Sequence, residues 1–100
     1  MKYSLHIQDS AFMDVAEGVE YYEAQREGLS LDFELCLEEG YWDILSTPLG
    51  YEVKYANIRI KFIRRFPYGI HYFVDNTDVY VISVFHTSKN PKRWFERIKN

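Results

Sequence analysis

Four cations stand close together in the second half of the chain: Arg59, Lys61, Arg64 and Arg65. In Ile58-Arg59-Ile60-Lys61-Phe62 charged and apolar residues alternate, so Arg59 and Lys61 share one face of a strand, and continued alternation adds Arg65. Arg64 points the other way unless the chain bends before Pro67. Such a set can hold nucleic-acid phosphates, which gives affinity without sequence specificity. It can equally hold an acidic protein segment, or be a solvated strand face. His71 and His86 follow on the next two extended segments. A histidine beside cations can exchange protons near neutral pH, as RNA cleavage requires, while lysine or arginine stabilises charge developing on the scissile phosphate. For either histidine taken alone, a structural role is the simpler reading. Tyr68 and Tyr72 can stack on bases or pack in a core.

Other chemistries lack their residues. No CxxC, HExxH, glycine-rich phosphate loop or G-x-S-x-G occurs. His6, His71 and His86 are far apart and have no acidic or cysteine partners at ligand spacing, so neither a metal nor a cofactor is expected. Asp75 and Asp78 flank a turn, where bonding to the backbone accounts for them. The single cysteine, Cys36, cannot form an internal disulfide and points to a reduced compartment. No apolar run reaches membrane-spanning length and none resembles a signal peptide, which makes the cytoplasm the expected location and a membrane partner unexpected.

The elements that position these residues can be read from periodicity. Tyr3, Leu5 and Ile7 alternate in a strand near the N-terminus. Asp9 or Ser10 can cap a helix running to about Glu27, with Phe12, Ala16, Val19 and Tyr22 or Glu23 on its apolar stripe. Gly28 is a natural C′ residue that breaks the first helix, and Ser30 can cap a second helix covering about Leu31 to Ser46. Leu31, Leu35, Trp42 and Leu45 form one stripe of it, and Phe33, Leu37, Tyr41 and Ile44 an adjacent one. The breadth of that arc suits a helix wedged between a partner helix and a sheet. Gly18 and Gly40 sit inside the helices, where each costs about 1 kcal/mol relative to alanine.

Tyr51 to Tyr55 reads as a short strand, followed by the segments around Ile58–Phe62, Gly69–Val74 and Val79–Phe85. Pro91 suits the start of a short final helix over Lys92–Lys99, whose Trp94 can seal one end of the core. The whole is an α+β arrangement in a single domain, 1–100. An N-terminal strand and an antiparallel helical hairpin precede a three- to four-stranded antiparallel meander, with the helices on one face and the other face more open to solvent.

Charge divides sharply along the chain. Residues 1–52 carry two basic against twelve acidic side chains, a balance of −10, and residues 53–100 ten against three, a balance of +7. Either the molecule has an acidic back and a basic front, or the two halves neutralise one another in surface pairs.

At Arg65-Phe66-Pro67-Tyr68-Gly69-Ile70-His71-Tyr72, Val81-Ile82-Ser83-Val84-Phe85-His86 and Asn90-Pro91-Lys92-Arg93-Trp94 the chain resembles the RelE/ParE toxin superfamily. Tyr21-Tyr22-Glu23, Gly28-Leu29 and Phe33 fit that family's helical hairpin, and the pattern is closer to ParE-like members than to ribosome-dependent RelE nucleases. The resemblance implies the toxin of a bacterial type II toxin–antitoxin, or plasmid stabilisation, system, with a cognate antitoxin as partner. Family members either cleave mRNA, often on the ribosome, or poison DNA gyrase. In a metal-independent endoribonuclease of this kind His86, His71 and Arg65 are the catalytic candidates, with Arg59, Lys61, Arg64 and Tyr68 binding phosphate or partner. Gly69 stands where RelE nucleases carry an arginine, and His86 and Thr87 where they are usually basic; His86 matches the ParE-like pattern. A degenerate relative that only binds its antitoxin is the remaining alternative.

Overall fold

The structure, a computed structural model that describes residues 2–98, follows the order β1 (Ser4–Ile7), α1 (Asp9–Gln25), α2 (Leu29–Ser46), β2 (Val53–Tyr55), β3 (Ile58–Phe62), β4 (Tyr68–Asp75), β5 (Asp78–His86) and α3 (Lys92–Ile98). Lys99, expected in the last helix, lies outside the described residues. β2 to β5 form the antiparallel meander in a sheet of order β1-β5-β4-β3-β2. β1 pairs with β5 in parallel, Ser4 opposite Asp78 and Ile7 opposite Val81. A parallel pair needs a long crossover, which everything between β1 and β5 supplies.

α1 and α2 cover one face of the sheet. Phe33, Leu37 and Ile44 of α2 meet Ile70, Tyr72, Val79, Val81 and Val84 in the main core. The helical glycines belong to this contact: a Cβ on Gly18 would stand 2.7 Å from the Phe33 ring, and one on Gly40 2.8 Å from Ile70 Cδ1. The close approach explains why both positions forgo helix propensity. Between the helices, Gly28 adopts a left-handed φ of +87°. The Glu23 carboxylate, an alternative to Tyr22 on the expected apolar stripe, instead clasps this turn by accepting the Gly28 N–H at 3.2 Å and the Ser30 hydroxyl at 2.6 Å. Those bonds hold its carboxyl below the usual carboxylate range. Ser30 lies within the first turn of α2, so Gly28 is the cap, and Gln8, not Asp9 or Ser10, is the cap of α1.

The apolar stripes sit differently from their sequence reading. α1 buries Ala11 and Gly18 and packs Val15, Val19 and Tyr22 beside them, while Phe12 faces outward. On α2 the Phe33, Leu37 and Ile44 stripe is buried, whereas Leu31, Leu35 and Trp42 are exposed. The sheet touches only one side of the helix, so one stripe of the broad arc is left out.

The far face of the sheet is also apolar, against the expectation that it would be open. Tyr55, Ile58, Ile60 and Ile82 form a second cluster, with Phe73 and Trp94 packed on it. Trp94 lies 5.2 Å from the Tyr55 ring and 5.1 Å from that of His71, so α3 does seal this face.

A bulge in β5 sorts residues between the two faces. Tyr72 pairs with Val81 and His71 with Ser83, which leaves Ile82 as the extra residue. Before it, Val79 and Val81 face the helices; after it, Val84 and His86 do, and Phe85 turns to the far side against His71. The backbone groups freed by the bulge are satisfied from both helical layers. The Ser10 hydroxyl and the Arg97 guanidinium donate to Ile82 O at 3.1 and 2.9 Å, and Val84 N–H donates to Asp14 Oδ2 at 3.0 Å. Arg97 closes the network with two bonds to the Asp14 carboxylate, at 2.9 and 3.1 Å. α1, β5 and α3 are thereby tied at one point.

Candidate functional site

Arg59 and Lys61 share a face, as their spacing requires, but it is the face that carries the helical hairpin. Their partners on β4, Tyr72 and Ile70, both belong to the main core. The alternation is satisfied in the inverse sense: Ile58 and Ile60 fill the far cluster, and the cations lie beside the segment that follows α2. The Arg59 guanidinium donates to the carbonyls of Tyr51 and, at 3.3 Å, Leu49. Lys61 Nζ is 3.5 Å from Asp43 and 5.1 Å from the centre of the Tyr51 ring.

Arg64 and Arg65 lie in the connection between β3 and β4, where the chain turns twice in tight three-residue steps. Arg64 O accepts the Phe66 N–H and Phe66 O the Tyr68 N–H, each at 2.8 Å. Arg65, between the first pair, has φ of +69°, a region that costs an L-residue about 1–2 kcal/mol. Arg64 grips Glu39 through two bonds of 2.5 and 2.9 Å, and Arg65 Nη2 is 3.5 Å from Asp32. That shared hydrogen bonding holds the Glu39 carboxyl below its ordinary value and raises Arg64. Asp32, Glu39 and Asp43 thus form one row along α2 that answers Arg65, Arg64 and Lys61 in turn. Of the two readings of the divided charge, surface pairing is the one realised along this seam. Arg64 and Arg65 are exposed and Lys61 is half-buried, so each pair is individually weak, and a competing anion would meet cations whose counter-charges are already in place.

The two histidines have separate environments. His71 is 2% exposed on the far face, its Nδ1 2.7 Å from the Tyr55 hydroxyl and its ring against Phe85 and Trp94. Burial, helped by the nearby Arg97 charge, pulls its pKa down to about 4, so the ring is neutral at physiological pH. His86 is half-buried on the helix side. Its Nδ1 accepts the Ser88 N–H at 3.0 Å and lies 2.8 Å from the Ser88 hydroxyl, which leaves Nε2 to carry the proton of a neutral ring.

His86 stands opposite Tyr68 across the β4–β5 ladder, with the two rings 5.3 Å apart. They line an open groove of about 680 Å³ whose other wall is α1, through Glu17, Tyr21 and Tyr22. Burial, reinforced by neighbouring Tyr22, pushes the Tyr68 hydroxyl up to about 12, so it offers a hydrogen-bond donor rather than a base. Among the described residues, no lysine or arginine lines this groove. The fold therefore brings Tyr68 and His86 together, sets Lys61, Arg64 and Arg65 along the α2 seam with Arg59 beside the segment that follows α2, and buries His71 on the opposite face.

No family model matches the sequence, and no curated protein matches it. A solved structure described as "Chromosomal ParDE TA system from P. aeruginosa" superposes on this chain with a TM-score of 0.77 at 12% identity, covering 87% of this chain and 98% of that one. The two chains share a fold. The correspondence spans nearly the whole of the ParDE chain, so the hairpin and the meander match as one unit rather than as a common fragment.

The sequence reading placed Tyr21-Tyr22 in the hairpin and left Glu17 and Ser88 outside any site. Their signal was helical spacing: Glu17 and Tyr21 are four residues apart and share one side of α1. Ser88 carried only its position two residues beyond His86, within reach of that ring. Among the described residues, no group of three histidine, cysteine, aspartate or glutamate side chains converges as a metal site would need.

Proposed function

We propose that this chain is the toxin of a type II toxin–antitoxin pair, and that it arrests growth by capturing a protein target, DNA gyrase, rather than by cutting RNA. The shared fold with a chain of a ParDE system and the sequence resemblance to ParE-like toxins support the pairing with an antitoxin. The observation that carries the choice of mode is the groove at Tyr68 and His86. It holds a glutamate and three tyrosines and is lined by no cation among the described residues. Phosphoryl transfer relies on positive groups placed where charge develops. The nearest candidates by sequence, Arg64 and Arg65, are engaged by Glu39 and Asp32. A tyrosine-rich groove of this kind suits apolar and hydrogen-bonding contacts with a protein. The cognate antitoxin would cover the same surfaces in the resting cell.

The test is a supercoiling assay with purified gyrase, together with induced expression in cells with and without the neighbouring reading frame. Inhibition of supercoiling, relieved by the co-expressed neighbour, is expected. Uninhibited gyrase and no gyrase complex would refute this mode of action.

One observation favours a second reading, a metal-independent endoribonuclease. His86 lines the groove with its Nδ1 bonded by Ser88, and Tyr68 lies beside it as a donor. In that reading the ribose 2′-hydroxyl releases its proton to water as its oxygen attacks the adjacent phosphorus, the P–O5′ bond breaks, and the 5′-oxygen leaves with a proton from His86. Tyr68 would bond a phosphate oxygen, and Arg65 or Arg64 would swing from its carboxylate to the phosphate. His71 would serve only to hold the far cluster. RNA and ribosome-bound mRNA left intact by the native protein would sink this reading; cleavage lost in His86→Ala would favour it over gyrase capture.

A further inference from the structure

α2 presents apolar side chains to the core and, separately, to solvent. Leu31, Leu35 and Trp42 recur four and seven residues apart, so they align on one side of the helix, opposite Phe33, Gly40 and Ile44. They are 59%, 54% and 64% exposed. A single exposed leucine is ordinary, but an aligned stripe that includes a tryptophan is the composition of a contact surface.

The two flanks of the stripe differ in charge. Towards the sheet, Asp32, Glu39 and Asp43 are answered by Arg65, Arg64 and Lys61. Towards α1, Glu34 and Glu38 have no cation within ion-pair distance among the described residues. They rim a cleft of about 300 Å³ that also takes in Phe12, Val15 and Tyr41. The surface is thus apolar along its crest and negative on one side only.

We propose that this side of α2 is a docking surface for a cationic amphipathic helix of a partner protein. The partner's apolar stripe packs on Leu31, Leu35 and Trp42, and its lysines or arginines meet Glu34 and Glu38, a helix-on-helix mode read through residues three, four and seven apart. Charge decides against the other occupants. A second copy paired through a two-fold axis sets Glu34 and Glu38 near the same carboxylates of its mate, and an acidic segment meets the same repulsion. The inference stands on the side chains of α2 and α1; it depends neither on the groove at His86 nor on the toxin reading, and either can fail without the other.

The probe is a synthetic peptide as long as α2, 18 residues, with leucines on one helical face and lysines beside them. A second peptide carries glutamates in place of the lysines. Calorimetric titration of the full chain is expected to show saturable binding of the lysine peptide and none of the glutamate peptide. Leu35→Asp should weaken binding by about tenfold, as expected for loss of a central apolar contact. Glu34→Gln with Glu38→Gln should weaken it and flatten its dependence on salt. Both sites are exposed, and circular dichroism checks that each variant folds. No binding of the lysine peptide, equal binding of both peptides, or binding indifferent to Leu35→Asp would each overturn the proposal. So would sedimentation showing a dimer that Leu35→Asp abolishes, because a second copy would then be the occupant.

Discussion

Neutralising His71 by burial makes the fold sensitive to acid, and the size of the effect can be worked out. The ring's ordinary pKa of 6.5 falls to about 4 in the fold, through desolvation first and the Arg97 charge second. Above pH 6.5 both folded and unfolded chains hold the ring neutral, and this group adds no pH dependence. Below it, the unfolded chain takes up a proton that the folded chain refuses until about pH 4. The unfolded state therefore binds more protons across that window, and stability falls as pH falls from 6.5 to about 4. At 1.36 kcal/mol per pKa unit the complete loss is about 3 kcal/mol, a large share of the stability of a domain this size. The reference protein is the double variant Tyr55→Phe/His71→Phe. It removes the titrating ring and its 2.7 Å hydroxyl partner together, so no buried polar group is orphaned. Urea unfolding followed by far-ultraviolet circular dichroism, at about pH 7.5 and about pH 4.5, should show the native chain losing about 2–3 kcal/mol more than the variant. Equal losses in the two proteins would refute the reasoning, because His71 would then protonate in the fold as readily as in the unfolded chain.

Three further outcomes follow from the packing. Arg97→Ala should cost about 2–4 kcal/mol, since it leaves the mostly buried Asp14 carboxylate and the Ile82 carbonyl short of partners; denaturant unfolding, with a double-mutant cycle against Asp14→Ala, measures the coupling. Gly18→Ala should destabilise by about 1–3 kcal/mol despite better helix propensity, because its Cβ would meet the Phe33 ring at 2.7 Å, and pairing it with Phe33→Leu should recover part of the loss in the same assay. Tyr72→Phe should cost about 1 kcal/mol by removing the 2.6 Å bond that its buried hydroxyl donates to Pro48 O, read as a shift of the urea midpoint with an unchanged slope.

Element order and type were legible in the residues because local pattern decides them. The Tyr3–Ile7 alternation, the three- and four-residue apolar spacing up to Ser46, and the turn chemistry at Gly28, Asn76 and Pro91 each act over a few residues. They led to the α+β arrangement that the structure has, with Gly28 at the hairpin turn and Trp94 sealing a core. Which partner each face would meet is a different kind of information. A strand that alternates Ile58, Arg59, Ile60 and Lys61 is equally consistent with its isoleucines facing the hairpin or facing away. Contact with α3 on one side and with the segment after α2 on the other settled it.

Lys61, Arg64 and Arg65 lie along α2 beside Asp43, Glu39 and Asp32, while Arg59 bonds to the carbonyls of Tyr51 and Leu49. His71 and His86, similar in sequence, are separated by the bulge at Ile82, which shifts the face of every later residue in β5. That bulge is held by Ser10 and Asp14 near one end of the chain and by Arg97, more than eighty positions away, near the other, and no short-range pattern reports such a contact. The sequence alone determined a two-helix hairpin, a meander and the residues able to do chemistry. Only the tertiary structure decided which of those residues meet, because strand register and face are set by packing among distant segments rather than by any residue's own preference.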